Sequence, residues 1–114
     1  MHDGRQFLEF VRLPVFERHA RGLLDEDDVR EIEQELMQDP TAGNVIAGTG
    51  GLRKLRYAVG GKGKSGGVRI IYFHRSKKGR LYLVTVYHKS AKDNLTKAER
   101  NEMKRLTAAL DGEA

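Results

Sequence analysis

No cysteine occurs in the 114 residues, so neither a disulfide framework nor a thiolate zinc site is available. No apolar run approaches the roughly 18 residues that cross a bilayer, and the opening MHDGRQFLEF lacks the long apolar stretch of a secretory signal. A cytoplasmic protein without a membrane partner is expected. The length predicts a single domain over residues 1–114 with one core. The most telling absence is acid: from Pro40 to Lys92 there is not one Asp or Glu. The same segment holds twelve Lys and Arg, a charge of +12, while the remaining residues carry −7 from nine basic and sixteen acidic side chains. A solvated surface ordinarily mixes signs. Such segregation points to a polyanionic partner, nucleic acid foremost, rather than to a surface that is basic only for solubility.

QFLEFVRL (Gln6 to Leu13) reads as a strand stopped by Pro14, and PVFERHARGLL as a short helix from Pro14 to Gly22. A second helix comes next. Asp25 caps it, Asp27 and Asp28 favour its positive end, and Val29, Ile32 and Leu36 form its apolar stripe before Pro40 stops it. In GLRKLRYAV, Leu55, Tyr57 and Val59 alternate with Lys54, Arg56 and Ala58, so the cations share one face of a strand. GVRIIYFHR and RLYLVTVYH pair as a hairpin across SKKG. In LTKAERNEMKRLTAAL, Thr96 and Glu99 make a capping box, with Met103, Leu106 and Leu110 on one stripe. The expectation is an α+β fold: an N-terminal strand and two helices, a three-stranded antiparallel meander, and a C-terminal helix. The helices should pack on one sheet face and leave the other open.

GGKGKSGG (residues 60–67) contains the Gly-Lys-Ser core of a phosphate-cradling loop, but position 58, where that motif needs its first glycine, is alanine. The loop leads into the strand VRIIYF, not into a helix whose N-terminus receives phosphate. The stretch reads instead as a basic flap joining two strands, with Lys62 and Lys64 either touching RNA or merely solvated. The basic segment has no paired carboxylates, and His2, His19, His74 and His88 have no metal-ligand spacing, so neither a metal nor another cofactor is expected. Metal-free phosphodiester transesterification remains. A ribose 2′-hydroxyl attacks the adjacent phosphorus, and the protein takes its proton, stabilises the added charge and protonates the leaving 5′-oxygen. Arginine serves there as a clamp, being too basic to move protons.

GTGGLRKLRY, the glycine and lysine loop, SGGVRIIYF and VYHKSAKDNLT ahead of a helix, together with FVRLPVF and ELMQDPTAG, resemble the RelE/ParE superfamily of type II toxins, most closely its HigB-like branch. The resemblance spans nearly the whole chain. It implies a RelE-like small domain, ribosome-dependent cleavage of mRNA that inhibits translation, and silencing by a cognate antitoxin, a DNA-binding protein encoded adjacently. It also assigns roles: Lys54 as base, with Arg56 beside it, Arg69 holding the scissile phosphate, and Lys89 and Lys92 closing the last strand. Ser90 stands where RelE has an arginine and Thr96 where it has a catalytic tyrosine, so His88 is either the general acid or a solvent-facing strand end. The expected catalytic set is Lys54, Arg56, Arg69, His88 and Lys89; Arg53, Lys62, Lys64, Arg75 and Lys92 form the expected RNA-binding set. Tyr72 and Tyr87 either stack on bases or belong to the core, and His74 is structural. Two other readings share the basic surface: a ParE-like toxin acting on gyrase, and an RNA- or ribosome-binding module without catalysis.

Overall fold

The computed structural model describes residues 8–61, 67–75, 79–92 and 94–112. Strand β1 (Glu9–Arg12) leads into α1 (Pro14–Ala20) and α2 (Glu26–Gln38). A short strand β2 (Asn44–Val45), then β3 (Arg53–Ala58), β4 (Gly67–Arg75), β5 (Arg80–His88) and α3 (Lys97–Asp111) complete the order. The sheet order is β1-β5-β4-β3-β2, with β1 parallel to β5 and the other neighbours antiparallel. The expected α+β fold is present. Strand β2 has no counterpart in the sequence reading, because two exposed residues carry no alternation to detect. The lysine-rich part of the flap and most of the SKKG turn lie outside the described residues.

Pro14 occupies the first turn of α1, where its missing N–H costs no bond. Helix α2 opens with a reciprocal capping box between Asp25 and Asp28, and α3 with the expected one between Thr96 and Glu99. Helices α1 and α2 bring Phe16, Val29, Ile32 and Leu36 onto Leu55, Val68, Ile70, Tyr72, Leu81 and Leu83.

The expectation that all helices share one sheet face is corrected by α3. Its Met103, Leu106 and Leu110 pack with Leu52, Ile71, Phe73, Tyr82, Val84 and Tyr87 on the opposite face. The physical reason is visible in β5, where every residue from Leu81 to Tyr87 is buried. Its run of apolar residues, interrupted only by Thr85, belongs to a strand covered on both sides; a one-sided strand would alternate apolar with polar residues. Thr107 fastens the helix by donating to the Thr49 carbonyl at 2.9 Å. The second face therefore remains open only beyond the apolar stripe of α3. None of the three helices is long and apolar enough to cross a membrane, among the described residues.

The β2–β3 edge is drawn tight by Tyr72. Its buried hydroxyl accepts from the Gly43 N–H (2.9 Å) and donates to the Pro40 carbonyl (2.8 Å). Gly43 permits this approach, since a methyl group there would stand 2.8 Å from both the Lys54 carbonyl and the Tyr72 ring. Tyr72 is thus a core residue.

Candidate active site

Alternation along β3 sends Leu55 into the core and leaves Lys54 and Arg56 on the α3 side of the sheet. Pairing across the sheet then aligns Arg56 with Arg69, and Arg69 with Tyr87. Lys54 lies two residues along β3 in the same alternating set, opposite Ile71. Directly opposed side chains have Cβ atoms about 4.5–5.5 Å apart, and like charges so placed repel. Among the described residues neither Arg56 nor Arg69 forms an ion pair with a carboxylate. Two opposed arginines beside a lysine concentrate positive potential on this part of the sheet.

The segment after β5 closes one side of this site. Asn94 Oδ1 accepts from Lys54 Nζ at 3.1 Å, tying the lysine to the connection into α3. The Lys92 ammonium lies 5.0 Å from the centroid of the Tyr87 ring, a cation–π contact, and is paired with Glu99. Glu99 also accepts from the Thr96 N–H at 2.9 Å. Lys92 and that N–H hold its carboxyl below the usual carboxylate range. Lys92 is consequently a tethered, partly neutralised cation, and Tyr87 is buried beneath it.

Lys89 follows the end of β5 in a turn, and its N–H donates to the Gly67 carbonyl at 3.2 Å. His88 falls in the alternating set that Tyr87 and Arg69 do not share, opposite Val68, whose side chain is in the α1–α2 core. His88 Nδ1 lies 2.7 Å from the Ser90 hydroxyl and accepts from the Ser90 N–H at 3.0 Å. Register therefore groups Lys54, Arg56 and Arg69, with His88 at the strand end and Lys89 just beyond it.

The expected RNA-binding residues divide. Arg53 belongs to the Tyr72 side of the sheet and donates to the Gly43 carbonyl at 2.8 Å, which makes it a fastener of the β2–β3 edge. Arg75 pairs through its backbone with Arg80, at the far end of β4 from Arg69; six residues of strand put them about 20 Å apart. Lys62 and Lys64 lie outside the described residues. His74 agrees with its structural reading: it is half-buried, and burial and then Arg53 push its pKa down.

Three participants escaped the sequence reading. Asn94 carries no charge and sits in a loop, so only its contact with Lys54 reveals it. Glu99 is legible as a capping residue, yet its pairing with Lys92 is not. The third is a groove of about 520 Å³ beside Lys54 and Arg56, edged by the unforeseen β2.

The family model described as "RelE toxin of RelE / RelB toxin-antitoxin system" matches residues 12–113.

Proposed function

The chain belongs to the RelE toxin family, the toxin half of a toxin–antitoxin system, and from that membership and the basic row we propose that it is a ribosome-dependent, metal-free mRNA endoribonuclease of HigB-like type. The opposed Arg56 and Arg69, with Lys54 on the same face, carry the reading. They suit a phosphodiester that gains negative charge on the way to a pentacoordinate phosphorus.

Lys54, taken as the base, receives the proton of the ribose 2′-hydroxyl. The oxygen so released attacks the neighbouring phosphorus while Arg56 and Arg69 hold the non-bridging oxygens. The bond to the 5′-oxygen breaks, leaving a 2′,3′-cyclic phosphate and a 5′-hydroxyl. The strand-end residues supply the proton for that leaving oxygen. His88 is the candidate for it, its ring oriented through Nδ1 by the Ser90 N–H and hydroxyl. Lys89 supports the phosphate from the same side. The proposed inhibitor is a DNA-binding antitoxin encoded beside the toxin, with acidic or helical surface to cover the row.

Mapping of 5′ ends in mRNA from cells expressing the protein tests this. Codon-phased cuts within translated regions are expected, and Arg69→Ala should lower them by at least about a hundredfold, the scale of losing one transition-state donor. Growth arrest with intact mRNA would overturn the nuclease reading and favour a gyrase target or non-catalytic binding.

A further inference from the structure

The groove beside Lys54 and Arg56 is not needed to hold a phosphate, since the cations do that from the sheet surface. Its volume of about 520 Å³ lies within the roughly 300–1,000 Å³ range of small-molecule sites. One wall is apolar, built from Ile46, which lies on the α3 side of the sheet with Lys54, and from Ala47. The opposite wall carries Lys54 and Arg56, and two side-chain amides, Asn44 and Asn94, stand at its rim. The orientation of Asn94 is chemically determined. A lysine ammonium only donates, so the amide oxygen must face Lys54 and the NH₂ group must face elsewhere. Asn44 pairs with Lys54 across β2 and β3, and it is exposed.

We propose that this groove receives one nucleobase of the bound RNA next to the scissile phosphate, and that Asn44 and Asn94 read its hydrogen-bonding edge. The inference rests on the nuclease reading for its substrate class. An aliphatic wall and the planar Arg56 guanidinium offer the flat apolar contact a base requires, and two amides offer the mixed donors and acceptors that distinguish one base from another. A phosphodiester only accepts, so it would leave the amide oxygens idle where a base edge can use both groups, and β2 is too short to template an added strand from a protein partner. Continuity with the Arg56–Arg69 row sets the geometry: backbone on the cations, base in the groove.

The test uses non-cleavable 2′-O-methyl homotrinucleotides of each of the four bases, titrated into the whole protein and followed by the side-chain amide NMR signals of Asn44 and Asn94. One base should bind about tenfold more tightly than the weakest, moving both amide signals. Asn44→Ala should erase most of that preference, whereas Arg69→Ala should weaken all four alike and keep it. Equal affinities for the four bases, unmoved amides, or a preference that survives Asn44→Ala would overturn the inference. Binding is read without cleavage, so the outcome stands apart from the nuclease reading. Discrimination in a protein that cuts no mRNA would leave the groove a base-reading site and remove only the catalysis; cleavage with unchanged sequence preference in Asn44→Ala would remove the groove and leave the catalysis.

Discussion

Asn94 is the residue whose role emerges most directly from a single contact. A lysine that is to accept a proton from a ribose hydroxyl must be held, because a long flexible stem otherwise spreads its amine over many rotamers. The 3.1 Å bond from Nζ to Asn94 Oδ1 provides that restraint without adding charge. Asn94→Ala should therefore lower kcat for ribosome-bound mRNA about tenfold, in addition to any rise in KM from the lost base contact. Asn94→Asp places a carboxylate against the amine, favours its protonated form and moves the rising limb of the pH–rate profile to higher pH. A purely structural role would give neither the kcat effect nor the pH displacement. Charge and alternation, which are local properties, put Lys54 and Arg56 on one strand face, while the roles given to Lys54 and Arg69 came from the family resemblance. Sequence reading missed Asn94 because nothing local marks an asparagine 40 residues away as the partner of Lys54.

Both capping boxes extend beyond their helices. Thr96 and Glu99 were legible from spacing alone, as was the Asp25 cap, since a cap is chemistry between near neighbours. Their second tasks depend on the tertiary fold. Asp28, buried at the start of α2, accepts from the Asp25 N–H at 3.0 Å, the Tyr57 hydroxyl at 2.9 Å and the Gly60 N–H at 3.3 Å. Desolvation alone would raise its pKa, but the bonds from Asp25, Tyr57 and Gly60 outweigh it and hold the carboxyl below its ordinary value. Tyr57 also lies 2.9 Å from Glu31, so its one proton serves two carboxylates; burial and those carboxylates push its pKa well up. A depressed aspartate stabilises the fold above its unfolded pKa of about 3.9, and that contribution disappears as pH falls through the lower folded value. Tyr57→Phe should cost about 1–3 kcal/mol at pH 7, the range for a buried acceptor that loses a donor. The cost should shrink as the pH falls below the unfolded value and through the lower folded one, where Asp28 takes up its proton. Denaturant melts of both proteins across that range check it, and a cost independent of pH would contradict the role given to Asp28.

At the scale of the molecule, the +12 segment and the acidic remainder meet along a sheet covered on both sides. The charge division was plain in the sequence, but it did not show which cations act together. Strand register separates Arg53, which fastens Gly43, from Arg56 three residues later in the opposed row. The same one-dimensional reading took the sheet to be open on its second face, because the mostly apolar run of β5 identifies a strand without naming the helix that covers it. These two neighbours in sequence make opposite predictions for binding of single-stranded RNA. A cation that neutralises one phosphate contributes about 0.7 to the slope of log K against log salt. Arg56→Ala should reduce that slope by about this amount and lower thermal stability little, since it relieves the repulsion with Arg69. Arg53→Ala should leave the slope unchanged and destabilise the β2–β3 edge, because the Gly43 carbonyl loses its guanidinium donor. Fluorescence anisotropy of a labelled RNA across a salt series, with thermal melts of the same two variants, separates the cases. Equal slopes for the two variants would mean that total charge, rather than its arrangement by the sheet, holds the RNA.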